Sequence, residues 1–175
     1  KRKAAYRDLL QIHRTVARYM ETLAKLAGED RFDLTKELDD LAGGIKANPE
    51  LGIDNKQVDA VSNIARVITR WLTSASQQSA VRDMIREGDA PLQTLLDGMI
   101  SLVGYYKRTN DNERRVVLGF LESEIPFADT PNDRLLAALA RAHMQEKTVE
   151  YRTVQPKYDK AMEGLRSVAE GHAEL

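Results

Sequence analysis

The amino-acid sequence predicts an all-α protein, an antiparallel up-down-up-down helical bundle with long helices, most simply four of them. Three observations indicate this fold class. Apolar residues recur every three or four positions along most of the chain, which is the period of a helix that packs one face against others. The period of two that marks a half-buried strand is missing. Most Gly and Pro residues lie between the periodic segments, where helices are expected to end.

The first helix has the most regular pattern. Its apolar seam steps alternately by four and three residues, which is a heptad-like spacing. The seam consists of Ala5, Leu9, Ile12, Val16, Tyr19, Leu23 and Leu26, and the spacing resumes at Leu34, Leu38, Leu41 and Ile45. Two interpretations stay open: a break near residues 28–32, or one helix that runs to about Lys46.

The second helix is predicted to follow Asp54, an N-cap residue with Gln57 three positions later, which resembles a capping box. Gly88 is predicted to end this helix, and Asp89 with Pro91 to start the third one. The second seam is Val58, Val61, Ala65, Ile68, Leu72, Ala75, Met84 and Ile85. The third seam is Leu92, Leu95, Met99, Val103, Tyr106, Val117 and Leu121.

The fourth helix is predicted to start in the segment 130–133, which combines an N-cap, a Pro and an acidic residue. Two apolar series follow, and Pro156 inside the second should kink the helix. The series are Leu135, Leu139, Ala142 and Val149, then Tyr151, Val154, Tyr158, Ala161, Leu165 and Val168. Across all seams the predicted core residues are Leu9, Ile12, Val61, Ile68, Leu95, Leu139 and Leu165.

Length and composition favour a single domain, residues 1–175, that buries a core without disulfides, since the chain has 175 residues and no cysteine. The formal net charge of -1 shows no overall bias towards nucleic acid or a membrane. No catalytic pattern is visible. Metal-binding bundles use Glu-x-x-His, and none of His13, His143 and His172 has a Glu three positions before it. We therefore expect no cofactor, no metal and no enzyme activity.

A basic stripe marks the first helix. At about 100° per residue, Lys3, Arg7, Arg14, Arg18 and Lys25 fall within an arc of roughly 60° opposite the apolar seam. Such a face is a candidate contact for an anionic membrane surface, and the alternative is a solvated helix face. Nucleic acid is not expected as a partner, because aromatic residues do not alternate with these cations.

The segment 107–115 is an unusually polar interval in the third seam. If neighbouring helices run antiparallel, a polar layer is predicted within the bundle from Arg66, Arg70, Asn110, Glu113 and Glu146, with Gln145 beside Glu146. Such a layer either fixes the register of the helices or binds a small polar ligand.

The sequence thus favours a non-enzymatic binding or structural module with an unidentified protein partner. Helix lengths estimated from the seams place both chain ends at one end of the bundle, and the sequence begins Lys1-Arg2-Lys3 without a Met. We therefore expect the soluble part of a tethered or exported protein, periplasmic or held at a membrane by a lipid or a span, rather than a cytoplasmic protein. The alternative is a ligand-sensing bundle with a small polar site near residues 107–115.

Overall fold

The predicted fold class is confirmed in a computed structural model, which describes residues 2–28, 45–72, 77–125 and 133–175. These ranges contain four α-helices and no β-strand, and the packing contacts between the helices are those of a bundle. The helices are α1 (Arg2–Ala27), α2 (Asn55–Leu72), α3 (Gln77–Glu124) and α4 (Arg134–Ala173).

The chain divides into two compact units. The first unit comprises Lys1–Leu102 and Gly164–Leu175, and the second comprises Val103–Glu163. The first unit therefore holds α1, α2, the first half of α3 and the last turns of α4. The second unit is the remainder of α3 and α4, two helices joined through the segment between them.

The first unit contains the apolar core. α1 packs against α2. The buried side chains of α1, α2 and α3 are mostly large and apolar, and few of them are polar. The buried apolar residues of this unit include Ile12, Val16, Tyr19, Leu23, Val61, Ile64, Ile68, Trp71, Met84, Leu92, Leu95, Leu96 and Leu102. Buried Thr15 and Thr22 are satisfied locally, because their hydroxyls donate to the carbonyls of Gln11 and Arg18.

The end of α1 decides between the two interpretations of the first seam. α1 ends at Ala27, and the Gly28 amide donates to the carbonyls of Ala24 and Lys25. Residues 45–47 are not helical, so a single helix that reaches Lys46 is wrong. The remaining seam residues Leu34, Leu38 and Leu41 lie outside the described residues.

A tight turn leads into α2. A short 3₁₀ helix, Pro49–Leu51, is closed by backbone hydrogen bonds between Asn48 and Ile53. Gly52 follows it with a φ of 75°, a left-handed conformation that a residue with a Cβ adopts only under strain. The predicted capping box is confirmed next. The Asp54 carboxylate accepts from the Lys56 amide at 2.7 Å, and Gln57 Oε1 accepts from the Asp54 amide at 2.9 Å.

The boundary between the second and third helices is the main error of the sequence prediction. α2 ends at Leu72, and α3 runs unbroken through Gly88 and Pro91. Gly88 does not cap a helix. A Cβ there would lie 2.4 Å from the Tyr19 ring, so this glycine makes room for an aromatic side chain of α1. The helix lengths inferred from the seams were therefore wrong, and with them the argument that both chain ends overhang one end. The seam residue Ala75 lies outside the described residues.

The fourth helix follows its prediction more closely. α4 begins at Arg134, directly after Asp133, whose carbonyl accepts from the Ala137 amide. The proposed cap at residues 130–132 lies outside the described residues. α4 is helical on both sides of Pro156.

The predicted core residues fall into three groups. Ile12, Val61, Ile68 and Leu95 are buried, so these predictions are confirmed. Leu9 and Leu165 are half-buried. Leu139 is 59% exposed, and this prediction is wrong. The error concerns a whole series, because Leu135 and Val149 of the same seam are exposed as well.

Candidate interaction surface

The second unit is a pair of helices held together mainly by polar and half-buried side chains. Lys107 of α3 forms a salt bridge with Asp159 of α4, and Gln155 donates to Asp111 one turn along. Residues further along α3 thus meet residues earlier in α4, which makes the two helices antiparallel. Among the described residues of this unit, the buried apolar side chains are Ala137 and Tyr151.

The face of α4 that packs inward lies along one line of the helix. Ala137 and Tyr151 are buried, and Met144, midway between them, is half-buried. These positions are seven residues apart, and therefore they lie almost directly above one another. This line, which runs from the small Ala137 to the large Tyr151, is the face of α4 that packs against a neighbouring helix.

The opposite face of α4 carries the apolar series that the sequence analysis assigned to the core. We call Leu135, Leu139, Ala142 and Val149 the outer stripe. It is offset by two residues, or about 200°, from the inward line. Leu135 is 73% exposed and Leu139 59% exposed, and Ala142 and Val149 are exposed too. The stripe has the four–three spacing of a helix-packing seam, but solvent covers it.

More exposed apolar residues belong to the same unit. Leu136 flanks the outer stripe and is exposed. On α3, Val116 and Phe120 lie one turn apart and are both 63% exposed. Single exposed hydrophobic residues are ordinary, whereas a concentration of large ones in one unit commonly marks an interaction site.

The electrostatic surroundings of the outer stripe change along its length. Residues 135–140 carry no charge. The second half is mixed: Glu146 lies on the stripe line with His143 Nδ1 3.8 Å from its carboxylate, and Lys147 pairs with Glu150 at 2.6 Å. The hydrogen bond from Lys147 to Glu150 raises the pKa of Lys147. The stripe is thus apolar and uncharged near the start of α4 and polar at its borders further on.

The predicted basic stripe of α1 separates into two parts. Arg7 and Arg14 are exposed, while Arg18 and Lys25 both form salt bridges with Glu21, at 3.0 and 2.8 Å. The hydrogen bond from Lys25 and the nearby charges lower the pKa of Glu21. The side chain of Lys3 lies outside the described residues. Any contact with an anionic surface therefore depends on the first half of α1.

The residues of the predicted polar layer are distributed over both units. Arg66 and Arg70 belong to the first unit, while Asn110, Glu113 and Glu146 belong to the second. Glu113 and Glu146 are exposed, so their assignment to inward positions is wrong. The predicted neighbour of the 107–115 segment is also wrong. Lys107 and Asp111 meet Asp159 and Gln155 instead of residues 145 and 146, because the register of the two helices differs from the one expected.

Arg66 and Arg70 border an open depression of about 310 Å³ in the first unit. Arg66 donates to Asn63 and Arg70 donates to Glu87, each at 2.9 Å. The Arg70 guanidinium also lies 5.1 Å from the centre of the Trp71 ring. Arg70 is thus paired with an acidic side chain, whereas Arg66 donates to a neutral amide, and both side chains are exposed.

A buried polar cluster escaped the sequence analysis. The Tyr19 hydroxyl lies 2.9 Å from His172 Nε2 and 3.1 Å from the Met84 carbonyl, and His172 Nδ1 lies 3.1 Å from Asp89 Oδ1. Gln93 donates to the Ala169 carbonyl beside it. One signal was available, since His172 extends the seam of Ala161, Leu165 and Val168 by four residues.

This cluster is unsuited to catalysis although it contains an Asp–His pair. The side chains of Tyr19 and His172 are fully buried, so a substrate has no access to either. Burial raises the pKa of Tyr19 far above its ordinary value, and the charge of Asp89 adds to the effect. The hydroxyl therefore stays protonated. The cluster holds the last turns of α4 to α1 and α3 within the first unit.

Across the described ranges, no three His, Asp or Glu side chains converge as metal ligands. None of the helices there has an apolar stretch long enough for a bilayer span. Comparisons with family models, curated proteins and solved structures found no match for this chain.

Proposed function

We propose that this protein is a non-enzymatic binding module that holds an amphipathic helix of a partner protein on the outer stripe of α4. The observation behind this proposal is that a helix-packing seam, Leu135, Leu139, Ala142 and Val149, is exposed. A seam with four–three spacing is complementary to a second helix with the same spacing, because its side chains fit between those of the partner.

The free energy of apolar burial favours contact between this face and a protein ligand over its exposure to water. Burial of apolar surface is favourable by about 25 cal/mol per Å². Leu135 and Leu139 are more than half exposed, so most of this free energy would be gained only when a partner covers them. Recognition of an amphipathic helix uses anchors spaced by three and four residues. The outer stripe has this spacing from Leu135 to Ala142, and Val149 lies seven residues further along the same line, with Glu146 between them.

Charge argues against a lipid surface as the occupant of the outer stripe. Residues 103–163 contain ten Lys and Arg and ten Asp and Glu. A helix that lies on an anionic membrane needs an excess of cations beside its apolar face, whereas Glu146 and Glu150 adjoin this one. A partner with an apolar face and few net charges fits better.

A site-specific photo-crosslinking experiment tests the proposal. A benzophenone amino acid replaces Leu139 on the stripe or, as a matched control, exposed Thr148, which lies about 180° around α4 from Leu139. We expect adducts from position 139 that map to one helical segment, and saturable binding of a peptide with that sequence. Leu135→Asp should weaken this peptide's binding at least tenfold. Equal adduct yields at both positions would contradict a helix-binding role.

A second function has a specific observation in its favour. In the second unit, Asn110 Oδ1 and Gln155 Oε1 are buried without a hydrogen-bond partner, and unpaired buried acceptors are unfavourable. We propose as the alternative that a small hydrogen-bond donor, such as a polyamine, binds there. Thermal-shift measurements with spermidine, using Gln155→Leu as the control, test it. A shift that is equal in both proteins would exclude this site.

A further inference from the structure

We propose that the depression between α2 and α3 binds a small oxyanion, a carboxylate or a phosphate group, through the guanidinium groups of Arg66 and Arg70. This inference does not depend on the outer stripe, because α2 and the first half of α3 belong to the first unit. It is carried by the size of the depression, by the charges that line it and by the partners that those charges already have.

The depression lies between two helices of the first unit. Its lining residues are Asn63, Arg66, Val67 and Arg70 of α2, with Glu87 and Pro91 of α3. The four α2 residues lie within about two helical turns, on the face of α2 that borders α3. A salt bridge of 2.9 Å between Arg70 and Glu87 links the two helices at this place.

The volume and the lining fit a small ligand rather than a large one. The volume of about 310 Å³ is at the lower end of the range of roughly 300–1,000 Å³ for ligand sites in proteins. Buried Val67 and half-buried Pro91 supply an apolar wall, and the other four lining side chains are polar. An apolar wall with a few polar groups is typical of sites for small molecules.

The lining side chains have an excess of positive charge. Arg66 and Arg70 are two cations, Glu87 is one anion, and Asn63 is neutral. Glu87 offsets the charge of Arg70, whereas Arg66 donates to Asn63 Oδ1 at 2.9 Å. A guanidinium group has five N–H donors, and the hydrogen bond to this neutral amide leaves the charge of Arg66 without an offset. Arg66 is therefore the main anchor for an anion.

The spacing of the two arginine residues favours an anion between them. They lie four residues apart on α2, which places their Cβ atoms about 5–6 Å from each other on one helix face. Like charges at this spacing repel each other, and an oxyanion that contacts both would replace this repulsion with attraction. Guanidinium groups bind carboxylate and phosphate oxygens through paired N–H···O hydrogen bonds, which defines the chemical class of the ligand.

The salt bridge between Arg70 and Glu87 competes with the ligand but does not prevent binding. The two side chains are 64% and 30% exposed, and exposed ion pairs stabilise a protein little. An oxyanion can therefore share Arg70 with Glu87 or displace it. The Glu87 carboxylate also repels a bound anion, so we expect its removal to strengthen binding.

Trp71 gives a direct signal from this site. It is the only tryptophan of the chain, and the Arg70 guanidinium lies 5.1 Å from the centre of its ring. The indole Nε1 is buried and has no hydrogen-bond partner in the described part of the chain. A ligand that attracts Arg70 moves a cation relative to the indole. The fluorescence of Trp71 and the NMR signal of its N–H group should therefore both change on binding.

Fluorescence titrations of the full chain with inorganic phosphate and with citrate test the proposal. Sodium chloride keeps the ionic strength constant, so that general screening does not contribute to the signal. We expect a saturable change with a Kd of about 1 mM, which is weak because the depression is open to solvent. Saturation by one of the two anions identifies the preferred group, and saturation by neither overturns the proposal.

Three variants distinguish a built site from general attraction to positive charge. Arg66→Gln should raise the Kd about tenfold or more, because a charged hydrogen-bond donor is lost. Arg82→Gln is the matched control, since Arg82 is exposed on α3 about 180° away from Pro91, and its Kd should not change. Glu87→Gln should lower the Kd about threefold. Equal weakening in Arg66→Gln and Arg82→Gln, or weaker binding in Glu87→Gln, would overturn the site.

Two further measurements ensure that the variants are comparable. Circular dichroism should show unchanged helix content, because none of the three replaced side chains is buried. In NMR spectra, phosphate or citrate should shift the indole N–H signal of Trp71 in the natural protein and in Arg82→Gln, and should not shift it in Arg66→Gln. A shift of the same size in all three proteins would overturn the role of Arg66.

Discussion

The helices α1 and α4 carry apolar seams with the same spacing, yet one seam is buried and the other is exposed. In α1, Ile12, Val16, Tyr19 and Leu23 follow steps of four, three and four, and all are buried. In α4, Leu135, Leu139, Ala142 and Val149 follow steps of four, three and seven, and all are exposed. A helical seam therefore predicts a face suited to packing, but it does not predict whether the protein's own fold buries that face.

The two units differ in what holds them together. The first unit packs large aliphatic and aromatic side chains from several helices around Tyr19 and Met84. In the second unit, α3 and α4 meet through ion pairs and hydrogen bonds such as Lys107–Asp159, and partly exposed ion pairs contribute little, about 0–1 kcal/mol each. Several large apolar side chains of the second unit are therefore exposed and could contact another molecule.

Truncation of matched leucine positions should give the largest difference between the units. Leu95→Ala in the first unit should lower the free energy of unfolding by about 2–5 kcal/mol, because it leaves a cavity. Leu139→Ala should change it by less than about 0.5 kcal/mol in the monomer, because the side chain is exposed. Urea melts at low protein concentration measure both. Similar losses at the two sites would show that the outer stripe is covered within the chain.

Two glycines of α3 should respond in opposite directions to alanine. Gly88→Ala places a Cβ 2.4 Å from the Tyr19 ring. We expect a loss of about 1–3 kcal/mol, because the ring is held by two hydrogen bonds and overpacking is unfavourable. Gly119→Ala meets no atom within 4 Å, and should stabilise the helix by about 0.5–1 kcal/mol. Thermal melts of the two variants test this contrast, and a gain for Gly88→Ala would contradict the close packing.

The Tyr19–His172 hydrogen bond should be measurable by a double-mutant cycle. Tyr19→Phe and His172→Leu each remove one partner, and a buried group left unpaired is unfavourable by about 1–3 kcal/mol. We expect a coupling of about 0.5–3 kcal/mol between the two changes. A coupling near zero would mean that the two groups do not interact in solution.

Alkaline pH gives an independent measure of the same contact. Burial raises the pKa of Tyr19 in the folded protein, while the unfolded chain ionises near its ordinary value of about 10. The stabilisation is thus fully present below about pH 10 and is lost as the pH rises above it. Urea melts at pH 8 to 11 should show this loss in the natural protein. Tyr19→Phe should lose less stability over that range, and an unchanged slope would contradict the assignment.

The smallest effect is expected for the basic face of α1. Cations beside an anionic membrane contribute about 1 kcal/mol each, and we expect Arg7 and Arg14 to contribute more than Arg18 and Lys25, which pair with Glu21. Flotation with anionic vesicles at low salt should decrease in Arg7→Glu/Arg14→Glu and change little in Lys25→Gln. Equal, negligible flotation of all three proteins would leave the solvated-face interpretation.

The sequence by itself determined the helical class, most of the seams and one cap. These features depend on neighbours within a few residues. The capping box of Asp54 and Gln57 is a local hydrogen-bond pattern, and the period of apolar residues follows from helix geometry. Such signals are complete in a short window, so the core positions of α1, α2 and α3 could be predicted.

Two things were decided by the tertiary structure alone. One is the outcome at positions where a local signal conflicts with packing, and the other is which helix faces are buried. Gly88 and Pro91 carry the signal of a helix boundary, but contact with Tyr19 of α1 requires the small residue at 88. His172 acquires its partners from residues more than 80 positions away. The outer stripe has the pattern of a core seam, and its exposure depends on the register of α4 against α3. Contacts between distant segments set all three features, and a periodic pattern in one segment contains no information about them.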